Sequence, residues 1–217
     1  MGMQFHLEQI TRAQVIEFIE KPDAAYEYYM DHADQEAGDA LEQIAAMAAN
    51  EDLPLRQRAQ AAEAHAQFQA LLSSFGRPAR KGPALVRQKR RKFSLEKDWH
   101  ILHYVLNGTH EGGEGSLADA ILGGRILPDH DQVMGYGPLR CLDPEQVKAV
   151  AHALANVDPQ SLTSRLDRRD AEAKQIYLAH TLDDLSDWSY LPDLFKGFRA
   201  FYDDAARREN GMLLSIS

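Results

Sequence analysis

The sequence has a single cysteine, Cys141, so it can form neither an internal disulfide bond nor a multi-cysteine metal site. It also has no run of about 20 apolar residues, the length that a helix needs to cross a bilayer. Its first residues, Met1 to His6, lack both the pattern of a signal peptide and the serine or threonine of a myristoylation motif. We therefore expect a cytoplasmic protein that does not associate with a membrane.

The common catalytic motifs are absent as well. There is no Gly-x-Ser-x-Gly nucleophile elbow and no His-Glu-x-x-His zinc motif. The glycine-rich stretch 112–115 contains a glutamate and follows another, and no Lys-Ser or Lys-Thr pair comes after it, so it does not match a phosphate-binding loop. Cys141 lies between leucines just before a helix start, which is typical of a structural cysteine. We assign no catalytic residue and no cofactor, and expect binding rather than catalysis.

Charge is distributed unevenly along the chain. The net charge is −9, but residues 77–97 contain nine basic residues and one acidic residue, so this segment carries +8 and the remainder −17. An acidic body repels nucleic acid phosphates and attracts basic surfaces. The partner we expect is another protein, with a basic surface, and not a nucleic acid or a membrane. The alternative interpretation is that the charge only keeps the protein soluble.

The first half of the chain predicts one strand and several helices. Residues 4–10 alternate polar and apolar side chains, and Thr11 with Gln14 forms a capping-box pattern that begins a helix ending near residue 21. Further helices are predicted at 39–50 and 55–75. The basic stretch that follows contains two prolines and a glycine, and we interpret it as a mobile linker.

The second half predicts short strands at 125–127 and 139–142, and the sequence Asp143-Pro144-Glu145-Gln146 is a strong helix start. A long helix at 191–208 precedes a strand at 212–216, which can pair with the first strand. We therefore predict an α+β fold: a single compact domain whose small sheet includes the N- and C-terminal strands and packs with several helices. The predicted domain also contains a helical insertion at about 24–76 and a basic linker at about 77–93.

Residues 94–109 predict one amphipathic helix. The apolar stripe comprises Leu95, Trp99, Leu102 and Leu106, and the polar stripe comprises Glu96, His100, His103 and Asn107. Three members of the polar stripe, Glu96, His100 and His103, have the spacing of metal ligands on one helix face. Such a site would need ligands from elsewhere, for which the candidates are Asp129, His130, Asp131 and His110. The alternative, which we favour, is that the histidines hydrogen-bond backbone groups, so no metal site is assigned.

A small-molecule pocket is a second hypothesis. Asp98, His103 and Arg140 could gather around the loop from Gly135 to Pro138, whose glycines let the backbone approach a ligand. Tyr136 would form a wall or donate a proton, His103 would act as acid or base, and Arg140 would hold an anionic group. The alternative is that this loop is a tight connection with no ligand.

Several segments together resemble the YfbM-like family of small uncharacterised bacterial proteins. The resemblance rests on Met1-Gly2-Met3, Leu95-Glu96-Lys97-Asp98-Trp99-His100 with Leu102, His103 and Gly108, Gly135-Tyr136-Gly137-Pro138 with Arg140, Leu142 with Pro144-Glu145-Gln146-Val147, and Phe201-Tyr202 with Ala205-Ala206. These segments cover about the first twenty residues and most of 93–217, but not 24–92. One departure is that Leu178 follows Ile176-Tyr177 where members commonly have proline. Membership implies a compact α+β fold without an established activity.

Two functions are therefore predicted. The first is a protein-binding module with an acidic surface, for instance an immunity or antitoxin-type protein that masks a basic toxin. The alternative is an enzyme or ligand-binding domain that uses a pocket between the Trp99 helix and the loop 135–140.

Overall fold

The computed structural model describes residues 3–74, 90–128, 136–181 and 188–217, with their side chains except those of residues 32–36, 74 and 181. The chain divides into two compact units. Met1–Pro22 and Lys89–Ser217 form the first, and Asp23–Gln88 form the second. The second unit begins beside the start of the predicted helical insertion at about 24–76. That the chain is one domain with such an insertion stays a prediction.

The described elements follow one another from a strand at the N-terminus to a strand at the C-terminus. They are β1 (Phe5–Ile10), α1 (Arg12–Glu20), α2 (Pro22–Ala49), α3 (Leu55–Ser74), β2 (Lys92–Glu96), α4 (Trp99–Asn107), α5 (Ser116–Leu122), β3 (Arg125–Ile126), β4 (Arg140–Leu142), α6 (Pro144–Ala155), α7 (Ser161–Ser164), α8 (Arg168–Ala173), a 3-10 turn (Ala179–Thr181), α9 (Leu191–Arg207) and β5 (Gly211–Ile216). None of the helices in these ranges combines the length and apolar character required to cross a membrane.

The five strands in the described ranges form one antiparallel sheet in the order β2-β1-β5-β4-β3. The C-terminal strand β5 is therefore central, and it pairs with β1 from Phe5 opposite Ile216 to Ile10 opposite Gly211. The predicted α+β class and the predicted pairing of the terminal strands are confirmed. The sequence did not indicate that β5 also pairs with β4 on its other side.

Alternate residues of the strands face the main hydrophobic core. Phe5 and Leu7 of β1 are buried in a cluster with Met212 and Leu214 of β5 and with apolar side chains of α4, α6 and α9. The residues that alternate with them point to the opposite face, where Cys141 is 1% exposed. Burial, followed by the nearby Asp143, raises the pKa of this thiol to about 12, so Cys141 is structural as predicted.

Local signals predicted the starts of α1 and α6 correctly. In α6, Gln146 N–H donates to Asp143 Oδ1 at 2.8 Å, and the Gln146 side chain accepts from Asp143 N–H at 2.9 Å. Thr11 and Gln14 form the same reciprocal capping box at α1. These contacts involve residues three apart, so the sequence alone was enough to predict them.

The predicted helix over 94–109 is wrong at its beginning. Residues 92–96 form strand β2, where Ser94 lies opposite His6 and Glu96 opposite Phe5 of β1. Glu96 has a φ of 48°, and Asp98 N–H bonds to Leu95 O at 3.0 Å, so a tight turn separates strand from helix. The helix starts at Trp99 because pairing with β1 satisfies the backbone groups of residues 92–96, an influence that helical spacing does not reveal.

Two other predicted boundaries differ. Helix α2 begins at Pro22 rather than near Asp39. Lys92 and Phe93, the last residues of the predicted basic linker, belong to β2, whereas residues 75–89 lie outside the described residues.

Candidate functional site

His100 is held between two backbone groups. Its Nδ1 accepts a hydrogen bond from Tyr177 N–H at 2.9 Å, and its Nε2 lies 2.7 Å from the carbonyl oxygen of His110. A backbone N–H can only donate and a carbonyl can only accept, so Nδ1 is unprotonated and Nε2 carries the proton. Burial, the largest influence, lowers the pKa of His100, in agreement with this neutral tautomer. His100 thus ties α4 to the loop after it and to residue 177.

His103 is fully buried, with 0% of its surface exposed. Asn107 Nδ2 lies 3.4 Å from Nδ1, whereas Nε2 has no hydrogen-bond partner in the described residues. Burial is the largest cause that lowers the pKa of His103, which falls to about 4. His100 and His110 lower this pKa further, whereas the backbone of Gly112 raises it and so offsets part of the decrease. His103 is therefore neutral at pH 7, and solvent does not reach it.

The candidate metal ligands that lie in the described residues are not brought together by the fold. Glu96 lies on β2 rather than on the helix, and both ring nitrogens of His100 are engaged by backbone groups. Within the described ranges no group of three His, Cys, Asp or Glu side chains could hold a metal ion. Asp129, His130 and Asp131 lie outside the described residues.

Asp98 precedes α4 and contacts a residue far along the chain. Its Oδ1 accepts a hydrogen bond from the Tyr190 hydroxyl at 2.8 Å, and the Tyr190 ring lies 5.5 Å from the Trp188 ring, centroid to centroid. Burial is the main cause that raises the pKa of Asp98, and the bond from Tyr190 opposes it. The interaction ties the start of α4 to the start of α9. Sequence reasoning missed Tyr190 because no local pattern links positions 92 apart.

Tyr136 and Arg140 lie at one end of the central strand. Tyr136 N–H donates to the carbonyl oxygen of Ile216 at 3.4 Å, and Arg140 pairs with Leu214. The Tyr136 residue is 58% exposed, whereas Arg140 is half-buried, and burial lowers the pKa of its guanidinium. Gly135, which begins the predicted ligand loop, lies outside the described residues.

The four residues of the predicted pocket therefore occupy three environments. Asp98 bonds to Tyr190, His103 is enclosed in the core, and Tyr136 and Arg140 share the end of β5. No hydrogen bond in the described part of the chain joins any two of the four. Their joint pocket stays a prediction.

The fold and these side chains define an α+β protein built on an open antiparallel sheet. The structure is similar to the crystal structure of YfbM, a protein of unknown function from Escherichia coli, with a TM-score of 0.53 and 15% sequence identity over 99% of each chain. At this identity the likeness concerns the fold alone. A comparison with curated proteins finds no match.

The family follows from a sequence match. The profile of the family described as a domain of unknown function, DUF1877, matches residues 1–215, and this chain therefore belongs to that family. The predicted resemblance is confirmed. The match also extends through residues 24–92, which the short motifs had left uncovered.

Proposed function

We propose that this protein is a protein-binding module whose acidic surface docks a basic partner protein. The observation that carries the proposal is charge. The net charge is −9 although residues 77–97 contribute +8, so the rest of the chain is strongly acidic. Complementary charge speeds association and selects partners of opposite sign.

Helix α2 concentrates this charge. It contains seven Asp and Glu residues and no Lys or Arg. Asp23, Glu27 and Asp31 follow one another at four-residue spacing, and all three are exposed. Like charges at this spacing destabilise an isolated helix by about 0.2–0.5 kcal/mol per pair, and a bound cationic surface would reduce that repulsion.

Occlusion is the proposed mechanism. Acidic side chains would cover the cationic cleft of a partner and exclude the substrate that the cleft normally binds, as an immunity or antitoxin-type protein does. The alternative, a catalytic pocket with His103 as acid or base, has less support because His103 has no exposed surface. Binding therefore comes before catalysis as the function to test.

The test is co-expression with the products of adjacent genes, followed by pull-down at about 0.1 M and 1 M salt. We expect a basic neighbour to be retained at the lower salt and released at the higher, because the screening length falls from about 10 Å to about 3 Å. Capture of no neighbour at either salt, or retention that salt does not weaken, would overturn the proposal.

A charge-matched pair of variants tests the role of α2. Replacing Asp23, Glu27 and Asp31 with Asn, Gln and Asn removes three exposed charges from one row. The control replaces three exposed acids outside α2, Glu17, Glu20 and Glu51, with Gln. We expect the first variant to retain less partner than the second. Equal retention would exclude α2 as the docking surface.

A further inference from the structure

We propose that Arg140 and Tyr136 form a binding site for a small oxyanion, a carboxylate or a phosphate, carried by a ligand whose apolar part contacts Ile126. This site uses no residue of α2, and it takes an anionic ligand, whereas the proposed partner of α2 is basic. It therefore does not depend on the proposed partner protein.

Arg140 is a cation that has no counter-ion among the described residues. It is half-buried, yet its guanidinium makes no hydrogen bond or ion pair with any group of the described ranges. Burial is the one influence that lowers the pKa of Arg140, and no carboxylate offsets it. By comparison, two other cations lie close to the buried carboxylate of Glu8: Arg90 Nη1 is 3.5 Å from Oε1, and Lys92 Nζ is 4.0 Å from Oε2. Desolvating a charge without a partner is costly, and a bound anion offsets part of that cost.

The sheet places Tyr136 beside Arg140. Arg140 lies opposite Leu214, and Tyr136 N–H bonds to the carbonyl oxygen of Ile216, two residues further along β5. Residues two apart on a strand face the same side and are separated by about 7 Å. The backbones of Arg140 and Tyr136 therefore lie near each other at this end of β5, and we assign the exposed phenol of Tyr136 as a second donor to an oxyanion held by Arg140. A guanidinium presents two parallel N–H groups that match both oxygens of a carboxylate or phosphate.

Ile126 gives the site its apolar side. It lies directly opposite Arg140 on β3, the last strand of the described sheet, and is 52% exposed. Side chains directly opposite in an antiparallel pair have Cβ atoms about 4.5–5.5 Å apart. A ligand whose oxyanion binds Arg140 can therefore cover Ile126 with an adjoining hydrocarbon group.

The experiment titrates the full chain with acetate, hexanoate and inorganic phosphate, and follows backbone amide chemical shifts of β3 and β4 by NMR. We expect saturable shifts, with hexanoate binding at least tenfold more tightly than acetate because of its longer hydrocarbon. A stronger response to phosphate than to acetate would assign the site to phosphate esters, and the reverse to carboxylates.

Variants identify the residues responsible. Arg140→Gln is expected to weaken binding more than tenfold, and Arg140→Lys, which keeps the charge but loses the paired N–H groups, to weaken it as well. Tyr136→Phe should weaken it about threefold, since one neutral hydrogen bond is lost. Arg125→Gln is the control, because Arg125 lies opposite Cys141 and faces the other side of the sheet. Its binding should equal that of the wild type.

Three results would overturn the proposal. They are the absence of saturable shifts with all three anions, unchanged affinity in a folded Arg140→Gln or Arg140→Lys protein, and an equal loss of affinity in Arg125→Gln.

Discussion

Acidification should destabilise this protein through His103. The side chain has 0% exposure, and burial lowers its pKa from 6.5 to about 4. The groups that act on it are His100 on its own helix, His110 and the backbone of Gly112 in the loop after the helix, and the amide of Asn107. None of these is a carboxylate that would stabilise the charged ring.

The sign follows from proton binding. A histidine with a depressed pKa binds fewer protons in the folded state than in the unfolded state, so its contribution to stability is present above pH 6.5 and is lost as the pH falls toward 4. The gap of about 2.5 between the two pKa values corresponds to about 3 kcal/mol in total. Between pH 7 and pH 5 the expected loss is about 2 kcal/mol. His100, whose pKa is also lowered, acts in the same direction.

Urea denaturation at pH 7, 6 and 5 measures this loss as a change in the free energy of unfolding. The His103→Gln variant should be less stable at pH 7, and its pH dependence should be smaller than that of the wild type by about 2 kcal/mol. His152→Gln, at an exposed position of α6, should keep the dependence of the wild type. A folded His103→Gln protein that loses as much stability between pH 7 and 5 as the wild type would refute the reasoning.

Two further predictions concern packing and capping, and both are read from urea denaturation. In Gly211→Ala the new methyl group would lie 2.3 Å from Val15 Cγ2, so we expect a loss of about 1–3 kcal/mol. Gly38→Ala in α2 meets nothing within 4 Å and should instead stabilise by up to about 1 kcal/mol; equal effects at the two glycines would contradict this account. Asp143→Ala removes the acceptor of the Gln146 N–H and should cost about 1 kcal/mol, whereas Asp143→Ser should restore most of it. An unaffected Asp143→Ala protein would show that this cap contributes little.

Local contacts explain why much of the fold was predictable. The cap of α6 joins residues three apart, and the apolar residues of α9 repeat at helical spacing, so their energetics depend on short segments. The terminal strands were predictable from their alternation and composition. Residues 92–96 were not, because Leu95 fits an apolar helix stripe as well as a buried strand position. Only pairing with β1 distinguishes the two.

The candidate site shows a similar division. Asp98, His103, Tyr136 and Arg140 were selected by residue type and by their position in motifs, both of which are properties of the sequence. The residues that surround them belong to other parts of the chain. The Tyr190 hydroxyl donates a hydrogen bond to Asp98, and Ile126 lies opposite Arg140 in the sheet. Residue type thus suggests possible chemistry, whereas burial and partners decide which side chains can meet a ligand.

By itself, the sequence determined the family, the α+β class, the capped helix starts and the acidic charge, because these depend on composition and on residues close together along the chain. Tertiary structure decided that β2 is a strand, that His103 is enclosed and neutral, and that Arg140 has no counter-ion in the part of the chain that the structure describes. These three properties depend on groups that are far apart in sequence and close in space, whose packing sets the local desolvation and hydrogen bonding.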